Sequence, residues 1–258
     1  MATTSISFTE TPLLNLVLRR ADDALILGHR LSEWCGHAPM VEEDIALANI
    51  ALDLIGQARA LYDYAAQVDG SGLSEDHFGY RREQHQCRNC LLVEQPNGDF
   101  AATIVRQVLF SAFMGLYWPE MMNSRDETLA AIAAKAEKET AYHLRHSAEW
   151  LIRLGDGTEE SHERAEAALD ELWIYTGELF ESDDIEYELV RSSVVPDVST
   201  LRDPWQKRIE PILREATLTI PSASFMQTGG RSGRHTEYLG YVLADLQFLQ
   251  RVHPEAVW

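Results

Sequence analysis

Four stretches of the sequence carry acids and imidazoles at spacings that could hold a pair of metal ions between helices. The first offers Glu33. The second offers Asn49, Asp53 and Gln57 at one-turn steps, the third Ser111, and the fourth Glu139, Thr140, His143 and His146. A di-iron or di-manganese bundle site takes one Glu from each of two helices and a Glu-x-x-His pair from each of the other two. Carboxylates neutralise two hard cations, and the i, i+3 spacing brings acid and imidazole to one face.

Measured against that requirement the chain is ligand-poor. No Glu-x-x-His pair is picked out anywhere in the chain; the residue three before His143 is Thr140. Gln57, Ser111 and Thr140 are weak ligands beside carboxylate or imidazole, so one acid and one imidazole are left to hold two ions. The reading from residues alone is therefore no metal and no catalytic residue, with Glu33, Gln57 and His143 forming a hydrogen-bonded polar knot in a helical core.

Other motifs carry less. Cys87-x-x-Cys90 with His85 nearby lacks a second cysteine pair for zinc, and no βαβ pattern surrounds it for a redox role. Thr228-Gly-Gly-Arg-Ser-Gly233 precedes a helix, but no strand leads into it and no Gly-Lys-Ser/Thr follows, so it reads as a rigid turn that docks the last helix or touches a partner. Trp34, Trp118, Trp150 and Trp173 fall on or beside helical stripes and read as core.

The elements that must position these residues are helices. Thr11-Pro12 opens a first helix running to about Trp34, and the second spans about Val41 to Val68, apolar on nearly every side between Ile45 and Leu61. Ser74 begins a polar helix expected to reach Cys90. Long helices follow from Phe100 to about Asn123 and from Asp126 to Leu154, the latter closed by Gly155 as the residue after the helix end. A fifth runs from Thr158 to Phe180. Residues 181–203 are irregular or short-helical, and two helices end the chain at about Pro204–Thr217 and Gly233–Val252. No alternating strand is visible. The expected fold is all-α: a four-helix bundle core with additional C-terminal helices, forming one domain over residues 1–258.

Composition narrows the function further. With 22 basic and 41 acidic residues the net charge is −19, which repels phosphate backbones and excludes a nucleic-acid partner. The apolar stretches are interrupted by charge, so no membrane span is expected. Three cysteines in a chain of 258 residues do not form a disulfide framework, and the expected compartment is the cytoplasm.

Several runs carry a family resemblance that covers essentially the whole chain. Ser32-Glu-Trp-Cys-Gly-His-Ala-Pro39, Leu91-Leu-Val-Glu-Gln-Pro-Asn-Gly98, Lys138-Glu-Thr-Ala-Tyr-His143, Thr228-Gly-Gly and His235-Thr-Glu237 resemble the C subunits of bacterial multicomponent phenylacetyl-CoA epoxidases, of the ferritin-like superfamily. The resemblance implies a structural subunit paired with a related A subunit, which carries the di-iron centre and binds the CoA substrate. A small B subunit and a reductase with FAD and iron–sulfur complete the complex, which forms the ring-1,2-epoxide of phenylacetyl-CoA. Set against the catalytic sister's ligands, Glu33 falls at the first Glu position, Leu54 and Gln57 at the second-helix Glu-x-x-His, Ser111 at the third-helix acid, and Thr140 with His143 at the fourth-helix pair. Four of these six are not ligands. The rival readings are a di-metal carboxylate oxidase in its own right and an acidic helical scaffold for another partner.

Overall fold

The structure is a computed structural model describing residues 5–254 and 256. Among the described residues all regular structure is helical. The chain groups into two compact units. The first comprises the stretches up to His37, from Val41 to Pro96 and from Gly229 onward; the second comprises Ala38–Met40 and Asn97–Thr228.

The first unit is built on a long helical hairpin, α1 (Pro12–Ser32) and α2 (Val41–Asp69). Pro12 opens α1, and the Thr11 hydroxyl accepts a hydrogen bond from the Leu14 amide at 3.2 Å, which satisfies one of the orphan N–H groups of the first turn. Glu42, Glu43 and Asp44 complement the positive end of α2. The two helices approach closely at Gly28: a Cβ there would stand 3.2 Å from the Ala51 carbonyl oxygen and 3.1 Å from Ile55. Leu47, Ile50, Ala51, Leu54, Ala58 and Leu61 form the buried face of α2. Its other side remains open, with Val41 71%, Ile45 58% and Leu52 65% exposed.

His29, in the last turn of α1, is largely buried, and its Nε2 has no hydrogen-bond partner among the described residues. Burial lowers its pKa below the ordinary imidazole value of 6.5. The unfolded chain therefore takes up this proton more readily. The stability His29 contributes is fully present above about pH 6.5 and is lost as pH falls below it. Against His29→Gln, which stays neutral, wild type should lose stability between about pH 7 and about pH 5.5 in denaturant titrations; parallel curves would contradict this.

The polar helix expected from Ser74 to Cys90 is shorter. α3 covers Glu75–Tyr80, a 3₁₀ turn covers Gln84–Gln86, and Cys87 and Cys90 are extended before the single turn α4 (Leu91–Glu94). The reason is competition for backbone donors. Asp22 accepts from the Arg88 amide at 2.6 Å and Asp23 from the Cys90 amide at 2.8 Å, so these N–H groups serve α1 carboxylates instead of a helix ladder.

The second unit is built on another long hairpin, α5 (Phe100–Met121) and α6 (Glu127–Gly155), capped by Asp99 and Asp126. α5 is long and apolar enough to cross a membrane by composition, but most of it is buried inside the protein, as an interior helix requires. α7 (Glu159–Trp173) stops seven residues short of the expected Phe180, and a 3₁₀ turn occupies Gly177–Phe180. Here the Gln227 amide donates to the Ile174 carbonyl at 2.8 Å, and Met226 sits where a Cβ on Gly177 would be, 2.7 Å away. Residues 181–203 hold α8 (Asp184–Arg191) and a 3₁₀ turn at Val198–Leu201, short-helical as expected; α9 (Arg202–Glu215) follows.

Gly155 is the last residue of α6 and not the one beyond it. A Cβ there would stand 2.0 Å from the Ala216 carbonyl oxygen, so the glycine admits the end of α9 instead of supplying a left-handed cap. Aromatic packing fixes α9: Trp205 lies 5.6 Å from Trp173 and 5.3 Å from Phe180, and its indole N–H donates to the Leu109 carbonyl at 3.0 Å. The last helix, α10 (Glu237–Val252), returns to the first unit. It begins four residues later than expected, because Gly230–Ser232 is a 3₁₀ turn and Gly233 is left-handed (φ +77°).

Candidate functional site

Each unit holds three of the six positions singled out in the sequence. In the first, Glu33 caps the end of α1, where its half-exposed carboxylate accepts from Arg30 Nη1 at 3.0 Å. Leu54 and Gln57 lie on the buried face of α2, close to one turn apart. In the second, Ser111 is buried on α5 and its hydroxyl accepts from Gln107 Nε2 at 2.9 Å. Thr140 and His143 are buried on α6, three residues apart on one face; the His143 carbonyl accepts from the Ser147 hydroxyl at 2.8 Å. Glu33, Gln57 and His143 each have a partner.

The donor chemistry at these positions does not fit a di-iron centre. One unit supplies a carboxylate, an alkyl group and an amide; the other supplies two hydroxyls and one imidazole. Among the described residues no three His, Cys, Asp or Glu side chains gather into a group that could hold a metal ion. Contrary to the sequence reading that the chain holds no Glu-x-x-His pair, Glu159 and His162 form one, outside the four long helices, in the first turn of α7. His162 Nδ1 lies 2.8 Å from the Gly155 carbonyl and its Nε2 3.5 Å from Glu166, so the ring ties α7 to the end of α6 near the surface.

The strongest electrostatic feature lies elsewhere, in the first unit. Two adjacent aspartates of α1, both essentially buried, each collect several donors. Asp22 pairs with the buried Arg82 guanidinium, accepts from the Tyr62 hydroxyl at 2.5 Å, and takes the Arg88 amide. Burial, then the neighbouring Asp22 charge, raise the Tyr62 pKa well above its ordinary range. Asp23 accepts two bonds from Arg231 at 2.9 and 2.8 Å, besides the Cys90 amide and Arg20. Glu94, on α4, accepts from Asn89 at 2.7 Å and from the Thr236 amide and hydroxyl at 2.6 and 2.7 Å, and lies 2.8 Å from His235 Nδ1.

These bonds explain two sequence motifs. The glycine turn before α10 packs on the 85–91 segment, where a Cβ on Gly230 would stand 2.2 Å from the Asn89 carbonyl oxygen and one on Gly233 2.2 Å from that of His85. Arg231 and His235 then lock α10 to α1 and α4: the motif docks the last helix. Sequence reasoning missed the network itself. Its signal was available in Leu18-Arg-Arg-Ala-Asp-Asp-Ala-Leu25, where four charges interrupt a leucine-rich helix that shows no polar face to receive them.

Cys87 and Cys90 are buried and lie outside any disulfide, and burial pushes the Cys87 thiol up to about 12, with Asp22 adding to the effect. Cys35 is exposed. Thiolate is the reactive form, so a disulfide reagent at neutral pH should titrate Cys35 quickly and the other two only on unfolding. Three thiols reacting together in the native protein would contradict this placement.

The class the fold and these positions define is an all-α protein of paired long helices, with its buried charge tied up in docking and its polar helix positions poor in metal ligands. The family model described as phenylacetic acid catabolic protein matches residues 1–258, and the chain belongs to that family. It is similar to the C subunit of the 1,2-phenylacetyl-CoA epoxidase of Escherichia coli (strain K12), being 48% identical over 241 residues, which are 93% of this chain and 97% of that relative.

Proposed function

We propose that this chain is a non-catalytic structural subunit of a multicomponent phenylacetyl-CoA epoxidase, acting in the cytoplasm in aerobic phenylacetate breakdown. Its role is to pair with the di-iron A subunit and keep that protein in working form, alongside a B subunit and a reductase carrying FAD and iron–sulfur. The two helical hairpins act as one ferritin-like domain, with Glu33, Leu54, Gln57, Ser111, Thr140 and His143 as its degenerate di-iron positions. The similarity to the C subunit of an epoxidase supports the complex, and the donor set at those positions supports the absence of a catalytic role.

One observation carries the pairing. α2 buries one face within its unit yet leaves Val41, Ile45 and Leu52 exposed along another, at one- and two-turn steps. A stripe of large aliphatic residues open to water is the signature of a helix face that a partner covers. Expressing the A subunit with and without this chain tests the role: soluble complex and epoxidation should require both. Full epoxidation by the A subunit, B subunit and reductase without this chain would remove the role assigned here.

His143 serves structure on this reading. His143→Ala should lower stability by about 1–3 kcal/mol, the range for truncating a buried partnered group, and leave the complex's iron unchanged. Loss of iron from an otherwise intact complex would contradict it.

A further inference from the structure

The second unit contains a cleft that takes in Thr140, one of the six degenerate positions, and lies outside the α2 stripe to which the pairing is assigned. It lies between α5, α6 and α9, has a volume of about 320 Å³, and is lined by Gly115 on α5, by α6 residues from Glu137 to Ala148, and by Arg208 on α9. That volume is at the lower end of the range for small-molecule sites.

Arg208 is the informative residue. Its guanidinium is half-buried and makes no hydrogen bond, ion pair or ring contact with any described residue. Burial lowers its pKa, and no ion pair offsets that effect. In a chain with 41 acids and 22 bases, an arginine set into a cleft without a carboxylate partner is out of keeping with the surface around it. The fold makes room for it. A Cβ on Gly115 would stand 2.7 Å from Arg208 Nη1, so the guanidinium lies against α5 only because that helix carries glycine at this turn. Glycine inside a helix is less stable than alanine by about 1 kcal/mol, and here it creates a seat for a cation.

The remaining walls define what would meet that cation. Arg145 contributes a second guanidinium, held over the Tyr142 ring at 5.6 Å and making no ion pair among the described residues. Leu144, Ala141 and Ala148 supply an apolar wall. Glu137 lines the same cleft without an ion pair to either arginine, and its charge opposes any anion there, a dianion about twice as strongly as a monoanion. We propose that this cleft binds a small organic carboxylate, its planar carboxylate on Arg208 with Arg145 nearby, and its hydrocarbon body against Leu144, Ala141 and Ala148. A planar guanidinium matches a carboxylate in two parallel hydrogen bonds. The cleft's own residues carry this proposal, and the epoxidase reading does not.

Calorimetric titration of the full chain tests it with three probes: phenylacetate, its neutral isostere phenylacetamide, and inorganic phosphate. Phenylacetate should bind saturably, phenylacetamide at least about tenfold more weakly, and phosphate more weakly than phenylacetate. Arg208→Gln, with circular dichroism and thermal unfolding unchanged, should weaken phenylacetate at least about tenfold. Gly115→Ala, which displaces the guanidinium, should weaken it as well. No phenylacetate binding to the folded wild type, equal binding of the amide, or equal binding by Arg208→Gln would each overturn the site. Tighter binding of phosphate than of phenylacetate would overturn the carboxylate assignment.

Discussion

Asp22→Ala should be among the most destabilising single substitutions in this chain, lowering unfolding free energy by about 3–5 kcal/mol. The magnitude follows from what the substitution leaves behind. Arg82 is 2% exposed, and Asp22 is its one carboxylate partner among the described residues; the Phe78 and Gln86 carbonyls and the Tyr62 hydroxyl also accept or share its hydrogen bonds. Removing the acid strands a buried cation, deprives the Tyr62 hydroxyl of its acceptor, and frees the Arg88 amide that keeps the 87–90 segment extended. The exposed pair Arg59–Glu75, at 2.8 Å with Arg59 75% exposed, provides the contrast: Arg59→Ala should change stability by less than about 1 kcal/mol. The double variant Asp22→Ala/Arg82→Met should recover part of the loss, because no charge is then left unpaired. Denaturant unfolding of the four proteins measures all of this. An Asp22→Ala variant as stable as Arg59→Ala would show that the network does not hold this unit together.

The second large effect concerns association. Ile45→Glu and Leu52→Glu place carboxylates on the open stripe of α2, where neither side chain supports its own unit: both are more than half exposed. Thermal stability of the chain alone should change little, within about 0.5 kcal/mol. Affinity for the A subunit should fall by at least about 100-fold, since each change removes apolar burial and introduces an unpaired charge into a covered surface. Co-purification and sedimentation report the result. Normal complex yield with both variants would move the interface away from α2.

The contrast between these two regions also marks where the sequence was readable. Both long hairpins were legible because their signals are local: Thr11-Pro12, Asp99 and Asp126 cap helices, and leucine stripes run at helical spacing beside them. The segment from Ser74 to Cys90 was not, because its conformation is decided by Asp22 and Asp23, more than sixty residues away in the chain. For the same reason Gly155 reads in sequence as the residue after a helix and Gly177 as helix interior; one admits Ala216 and the other Met226, neighbours that no local pattern announces. The apolar second helix was visible as such, but only the structure separates its buried Leu47, Ile50 and Leu54 from its open Val41, Ile45 and Leu52. At the candidate site the residue types were legible at once, since a leucine, an amide and two hydroxyls cannot be mistaken for carboxylates. Arg208 was invisible in sequence, because an arginine gains meaning from the partner it lacks.

Iron analysis of the chain purified without its partner, with anomalous diffraction from its crystals, tests the central claim most directly. The supporting-subunit account predicts iron at background level and no anomalous peak near Gln57 or His143. A pair of strong peaks beside those residues would contradict it and make this chain a metal-bearing oxidase.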